Sequence, residues 1–253
     1  MHLIWRLVAS LTLAGALTAE AKPQVTRIEP PLHVVFLGNS FIYYNNSLHS
    51  HLASLSRAAD PEAAKAQTFK SITISGGPLS EHESGIEGIL KLRKWNVVVL
   101  QGQSTEPMVT DKARSERFKD YARRYDRQIR ESGARSVFFM TWAYRDKPEM
   151  YAPLAEGYEG IGNELGALVV PVGLAFERSI KARPALILHD ADTVHPSLAG
   201  TYLAAATFYA ALYGKTPVGN TYTAQLDPDT AKFLQGVAWE TVNAYYELPA
   251  VRQ

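Results

Sequence analysis

The sequence predicts an α/β domain in which a mostly parallel sheet of about five strands lies between two layers of helices. Short apolar runs alternate along the chain with longer segments of amphipathic spacing, and this alternation is typical of three-layer α/β/α domains. The run Val97–Leu100 has no polar interruption, as expected of a central strand that is covered on both faces. The region 33–253 is long enough for a single large domain with its own core.

The strands are expected where short apolar runs end at polar residues or glycines. They are placed at 33–37, 68–74, 96–100, 136–140 and 168–172. Apolar residues at helical spacing predict helices at about 48–59, 86–92, 111–130, 174–180, 198–213 and 229–246. The polar residues 45–47 are expected to cap the first of these helices.

The first 21 residues are predicted to be a secretory signal peptide. Arg6 gives a positive start, residues 7–17 form an apolar core, and Ala19-Glu20-Ala21 has the pattern of a cleavage site. A membrane anchor is the alternative, but this core is shorter than the roughly 20 apolar residues that a span needs. The mature chain is therefore expected to be secreted or periplasmic, with no stable membrane association and with a linker at 22–32 before the domain.

The composition is that of an ordinary globular protein. The chain is 46% hydrophobic and 20% charged, and its formal net charge is +1. This balance argues against a nucleic-acid-binding protein, which usually carries a basic face. The chain contains no cysteine, so its stability must come from an ordinary core without disulfides.

Ser40 follows the first predicted strand in the segment Gly38-Asn39-Ser40. A strand, a glycine turn, a serine and a helix together place a hydroxyl at the carboxyl edge of a sheet, where open α/β folds bind their ligands. The same residue types also occur in ordinary turns. The catalytic interpretation is strengthened by Asp192-Thr-Val-His195, because an imidazole can take the serine proton while a nearby carboxylate orients the ring.

These segments resemble the sequence blocks of the SGNH (GDSL-like) hydrolase superfamily, which has a Gly-Asp-Ser nucleophile block near the start and an Asp-x-x-His block near the end. The resemblance covers residues 33 to about 200 and departs from the family at Asn39, which replaces the usual Asp. It implies a flavodoxin-like fold and a serine esterase with the catalytic residues Ser40, Asp192 and His195. No cofactor and no metal are expected.

The resemblance also implies an oxyanion hole, formed by Ser40 and by residues after the second and third strands. Gly76 or Gly77 matches the family's glycine. The family's asparagine is replaced by a glutamine, Gln103 or Gln101 depending on the alignment, and this replacement resembles the carbohydrate-esterase branches. On local sequence alone, the glycines could form a plain turn and the glutamines could brace a loop.

Three further residues are candidate substrate contacts. His82 follows the glycine pair and could line the same cleft, although an isolated histidine in a polar stretch is more often solvated. Trp142 and Tyr144 follow the fourth strand and could stack on a sugar ring or pack in the core. The segment 189–195 contains two His and two Asp and could instead bind a metal, although it lacks a His-x-x-x-His spacing.

The sequence therefore predicts an exported serine esterase whose partner is a glycan or small-molecule ester and not a nucleic acid. O-acetyl groups on carbohydrate are the expected substrate, from the family's glutamine-bearing branches and the export signal. A lipase-like esterase is one alternative. A glycan-binding protein that has lost catalysis on the same scaffold is another.

Overall fold

The structure is a computed structural model that describes residues 22–248, so the predicted signal peptide lies outside the described residues. Five strands form one parallel sheet in the order β2-β1-β3-β4-β5. The strands are β1 (His33–Gly38), β2 (Thr68–Thr73), β3 (Val97–Leu100), β4 (Arg135–Phe139) and β5 (Leu168–Val170). The predicted three-layer α/β/α class and its parallel five-stranded sheet are confirmed.

Helices connect successive strands and complete the chain after β5. They are α1 (Ser40–Tyr43), α2 (Leu48–Ala59), α3 (Pro61–Ala64), α4 (Glu83–Leu92), α5 (Lys112–Glu131), α6 (Tyr151–Leu165), α7 (Val172–Ala182), α8 (Leu198–Tyr213) and α9 (Pro228–Tyr245). Short 3₁₀ turns occupy Leu79–His82 and Pro148–Met150. Within residues 22–248, no helix combines the length and the apolar character that a membrane crossing requires.

Alternate residues of each strand face opposite helical layers, because successive side chains of a strand point to opposite sides. In β1, Val34 and Phe36 pack in the core that contains α2, α7, α8 and α9. Val35 and Leu37 pack in the core that contains α4, α5 and α6. Burial on both faces explains why β1 and β3 are rich in apolar residues, whereas the edge strand β2 contains Lys70 and Ser71 and has no buried residue.

The sequence analysis missed helix α6. Its sequence contains three glycines, which lower helix propensity and conceal the apolar spacing. The structure shows why two of these glycines are present: a Cβ at Gly157 would lie 1.9 Å from the carbonyl oxygen of Pro107, and a Cβ at Gly162 would lie 2.2 Å from a methyl group of Val169. These glycines allow α6 to pack closely, and the packing stabilises the helix despite their low helix propensity.

The expected helix cap at residues 45–47 is wrong. Asn45, Asn46 and Ser47 all have positive φ, between 50° and 68°. Ser47 occupies the N-cap position of α2 but makes no capping hydrogen bond, and its hydroxyl donates to the carbonyl of Ile42 instead. The segment is a tight reversal that returns the chain from α1 to α2.

The strand order brings the predicted site residues to one edge of the sheet. From β1 the chain leads to β2 on one side, and it then crosses to β3 on the other side. In an open parallel sheet, a crevice forms where the connections diverge in this way, at the carboxyl ends of the strands. The segments after β1, β2 and β3 all begin at this edge.

Candidate active site

Ser40 is placed by the end of β1 and the start of α1. Asn39 is the N-cap residue of α1, and its side-chain oxygen accepts a hydrogen bond from the backbone N–H of Phe41 at 3.3 Å. Ser40 is the first residue of the helix, so its own N–H has no intrahelical acceptor. Ser40 is largely buried, with 7% of the residue exposed.

Ser40, His195 and Asp192 form one hydrogen-bonded chain. Ser40 Oγ lies 2.8 Å from His195 Nε2, and His195 Nδ1 lies 2.5 Å from Asp192 Oδ2. An ionised carboxylate can only accept, so Nδ1 carries the proton and donates to Asp192. Nε2 then presents its lone pair to the Ser40 hydroxyl. This is the arrangement in which an imidazole can act as a general base toward serine.

The Asp192 carboxylate also orders its own loop. Its second oxygen, Oδ1, accepts from the backbone N–H groups of Val194 and His195, both at 2.9 Å. The hydrogen bond from His195, supported by these two bonds, lowers the pKa of Asp192 to about 2. Asp192 is therefore ionised across the pH range in which most esterases are assayed.

Two residues that the sequence analysis did not place in the site contact the histidine segment from the Ser40 side. The ring of Tyr44 stacks on the imidazole of His195, with centroids 4.2 Å apart and planes 4° from parallel. The amide of Asn45 donates to the carbonyl of Pro196 at 2.7 Å and to the hydroxyl of Thr201 at 2.9 Å. The only sequence signal for these roles is that Tyr44 and Asn45 closely follow Ser40.

Gly76 and Gly77 lie after β2 as predicted, but their N–H groups differ. The N–H of Gly77 donates to the carbonyl of Ile74 at 3.0 Å and closes a turn. Gly76 is exposed at the tip of this turn with φ of 64°, and within the described residues its N–H has no acceptor. Gly76 is therefore the better candidate of the two for an oxyanion donor.

The two glutamines after β3 also differ. Gln101 is fully buried, and its side-chain nitrogen donates to Asn39 Oδ1 at 3.0 Å and to the carbonyl of Gly102 at 2.5 Å. These bonds use both N–H groups of the amide, so Gln101 has none left for an oxyanion. Gln103 uses one N–H to reach Ser104 Oγ at 2.9 Å and retains the other. Of the two alignments that the sequence left open, the structure favours Gln103.

A buried carboxylate joins the loops that carry these candidates. Glu106 is fully buried, and its Oε2 accepts from the N–H groups of Leu79 and Gln103, each at 3.0 Å. The nearest cation is Arg117, whose Nε lies 4.0 Å from the other oxygen. The side chain of Glu106 therefore connects the loop after β2 to the loop after β3. No sequence pattern indicated this connection.

Trp142 cannot stack on a sugar as the sequence analysis suggested. Its residue is 0% exposed, and its ring stacks on Phe41 and on Phe176, with both centroid distances 4.4 Å. Its Nε1–H donates to the carbonyl of Val194 at 3.0 Å. Trp142 therefore supports the segment that carries His195 and does not face a substrate.

Tyr144 is half-buried at the same edge of the sheet. Its hydroxyl lies 2.7 Å from Ser104 Oγ, the group that also bonds Gln103. The structure therefore brings Tyr144 next to the loop of the oxyanion candidates, and a substrate contact remains a prediction.

His189 does not share a ligand arrangement with His195. It is buried, and its Nε2 lies 2.9 Å from the carbonyl oxygen of Ala143. Within residues 22–248, no group of three or more His, Asp or Glu side chains is placed to hold a metal ion.

His82 does not line an open cleft, because it is 1% exposed. Neither ring nitrogen makes a hydrogen bond of normal geometry. Burial lowers the pKa of His82 to about 4, although the nearby carbonyl of Gly38 opposes part of this shift. The ring is therefore neutral in the fold near pH 7, and its burial argues against a direct contact with substrate.

We expect replacement of His82 to change how stability depends on pH. An unfolded histidine takes up a proton below about pH 6.5, whereas folded His82 does so only near pH 4. The free energy of unfolding should therefore fall as the pH is lowered through this window, by on the order of 3 kcal/mol from this group. His82→Leu should show a flatter profile in urea unfolding between pH 7 and pH 4. Parallel profiles for the parent and the variant would contradict the assignment.

No family model matches the sequence, and no curated protein matches it. Several solved structures match the chain. A DUF4886 family protein from Bacteroides uniformis has a TM-score of 0.67 and 20% identity, covering 87% of this chain and 99% of its own. A protein provisionally assigned as an SGNH hydrolase, from Slackia heliotrinireducens, has a TM-score of 0.59 and 26% identity, covering 72% and 98%.

Carbohydrate esterases are among the matching structures. Axe2, an acetylxylan esterase from Geobacillus stearothermophilus, has a TM-score of 0.56 and 16% identity, covering 77% of this chain and 96% of its own. The parallel sheet agrees with these neighbours in fold. The serine at the end of β1 and the Asp-x-x-His segment before α8 match the sequence blocks described above. The chain therefore shares the fold of SGNH (GDSL-like) hydrolases, and acetylxylan esterases are among the structures with this fold.

Proposed function

We propose that the protein is an exported serine esterase that removes O-acetyl groups from carbohydrate through an acyl-enzyme intermediate. The observation that carries the proposal is the chain of hydrogen bonds from Ser40 through His195 to Asp192. The carbohydrate substrate is supported by structural neighbours that are named as acetyl xylan esterases. Export is supported by the signal-peptide pattern of residues 1–21.

In the first half-reaction, Ser40 Oγ attacks the ester carbonyl while His195 Nε2 takes the hydroxyl proton. Asp192 holds the ring and stabilises its positive charge. His195 then returns the proton to the leaving alcohol of the sugar, and the acetyl group stays on Ser40. In the second half-reaction, His195 activates a water that releases acetate and restores the serine.

Negative charge develops on the carbonyl oxygen of the ester during the attack, and hydrogen-bond donors that are already in position stabilise it. The backbone N–H groups of Ser40 and Gly76 have no acceptor in the described structure, and Gln103 retains one amide N–H. These three groups belong to the loops after β1, β2 and β3, which meet at one edge of the sheet. Loss of one such donor typically costs an enzyme about 3 kcal/mol of transition-state stabilisation.

The proposal is tested with the chain from residue 22 onward. We expect it to hydrolyse a chromogenic acetate ester, to release acetate from acetylated xylan, and to be labelled at Ser40 by a serine-directed phosphonate. Ser197→Ala is a matched control for labelling, because Ser197 lies near the site in sequence but caps α8. Faster hydrolysis of long-chain esters than of acetates would favour a lipase-like enzyme. Glycan binding without labelling or hydrolysis would overturn the enzyme in favour of a binding protein.

A further inference from the structure

We infer that the side-chain amides of Asn39 and Gln101 form a locked pair that positions the Ser40 turn, and that position 39 of this chain requires an amide and not a carboxylate. The inference rests on the proposed function of Ser40 and adds two positioning residues to it. Both side chains are buried, Asn39 at 2% exposure and Gln101 at 0%. Neither titrates, and neither is a reacting group.

The orientation of Gln101 is fixed by backbone groups. Its Oε1 accepts from the backbone N–H of Asn39 at 3.0 Å, and a backbone N–H can only donate. Its Nε2 faces the carbonyl of Gly102 at 2.5 Å, and a carbonyl can only accept. Exchanging the oxygen and nitrogen of this amide would break both bonds, so a single orientation is allowed.

The orientation of Gln101 then fixes that of Asn39. Because Gln101 Nε2 donates at 3.0 Å, the atom of Asn39 that faces it must be the oxygen, which also accepts from the N–H of Phe41. The other terminal atom of Asn39 must therefore be the nitrogen. It lies 3.2 Å from the carbonyl oxygen of Gly77, to which it donates.

This pair connects three loops that the proposed mechanism uses. Asn39 precedes Ser40, Gln101 begins the segment after β3, and Gly77 follows the oxyanion candidate Gly76. Gly38 has no side chain for a related reason, since a Cβ there would lie 2.3 Å from Gln101 Oε1. The amide pair thus sets the spacing of the Ser40 turn relative to the other two loops.

The superfamily's usual Asp is consequently the wrong residue at position 39 of this chain. Asn39→Asp would preserve the shape of the side chain but would put a carboxylate oxygen against the Gly77 carbonyl, where a donor now lies. Two buried acceptors in contact repel each other, and neither can be hydrated there. We expect the Gly76-Gly77 turn to move away from the Ser40 turn.

The test is steady-state hydrolysis of the chromogenic acetate by Asn39→Asp at pH 8, beside the parent and Asn46→Asp. Asn46 is an exposed residue nearby in sequence and makes a matched control. We expect kcat of Asn39→Asp to fall about 100-fold, the size of effect seen when an oxyanion donor is displaced. KM should change by less than threefold, and Asn46→Asp should match the parent.

A pH series separates positioning from a general loss of fold. A protonated carboxyl group at position 39 could again donate to Gly77, so the activity of Asn39→Asp relative to the parent should rise as the pH is lowered from 8 to 5. The titratable groups around the Ser40 turn include His195, His82 and Glu106 as well as His49 and His51 on α2 and Lys70 on β2. The parent and the variant contain all of them, so the ratio removes their contribution. Gln101→Glu provides a second variant, because it replaces the donor that faces Asn39 and Gly102 by an acceptor.

The outcomes separate this inference from the proposed function. If the parent neither hydrolyses the ester nor reacts with the phosphonate, the proposed function fails and the inference fails with it. If the parent is active and Asn39→Asp and Gln101→Glu match its kcat at pH 8, the inference alone is overturned. A folded Asn39→Asp with low kcat at pH 8 and a rising relative activity toward pH 5 supports it.

Discussion

Replacement of His195 by alanine is expected to lower kcat for acetate hydrolysis by about a millionfold, the scale on which a serine hydrolase loses activity without its base. In the described structure, the hydroxyl of Ser40 has His195 Nε2 as its hydrogen-bond partner, 2.8 Å away. Without the imidazole the attacking oxygen keeps its proton and remains a weak nucleophile. Ser40→Ala should be equally inactive, and the double variant should be no worse than either single variant, because the two side chains act as one unit.

His49→Ala is the control for this measurement. His49 lies on α2, and its Nδ1 bonds Ser47 Oγ at 2.6 Å, so it is a histidine near the site in sequence that the mechanism does not use. We expect it to retain activity within a few-fold of the parent. Hydrolysis that survives in a homogeneous preparation of His195→Ala would refute the proposed mechanism.

Asp192→Asn is expected to lower kcat by about 10⁴ with little change in KM. Rotation of the new amide cannot bring its oxygen to His195 Nδ1, because the oxygen at the Oδ1 position accepts from the N–H groups of Val194 and His195. The new amide nitrogen must therefore face His195 Nδ1, which would have to become an acceptor. The ring proton then moves to Nε2, and Nε2 can no longer take the proton of Ser40.

Asp190→Asn is the matched control for this change. Asp190 lies two residues earlier on the same loop, is exposed, and accepts only from the N–H of Ala191 through its side chain. Stopped assays of both variants at pH 8 give the comparison directly. Equal activities for Asp192→Asn and Asp190→Asn would show that Asp192 does not orient the base.

The fold was largely predictable because the central strands of a parallel sheet are buried on both faces and need apolar sequences, and all five strands were placed from short runs in the sequence. Helix α6 was missed because its glycines conceal the helical pattern. Gly157 and Gly162 are required by close contacts with Pro107 and Val169, which lie outside the helix. The partners of Ser40 were predictable because their spacing is local to two short blocks.

The roles of the buried polar residues were not predictable in the same way. Gln101 and Gln103 have the same side chain, and only the groups around each amide decide which N–H stays unpaired. The sequence left stacking on a sugar and packing in the core both open for Trp142, and the structure shows that it lies between two aromatic rings next to the His195 segment. The type of a side chain determines which hydrogen bonds it can make. The assembled fold determines which neighbours make them.

The hydrogen bond between Ser40 and His195 joins positions 155 residues apart, which determines when during synthesis the proposed catalytic group can form. A chain that has emerged only as far as β5 contains every strand of the sheet and the Ser40 turn, but not the base. The histidine segment must still be made and must dock beside Tyr44 and Asn45. The proposed hydrolysis therefore requires a chain that has been synthesised past His195, because a shorter one lacks the base.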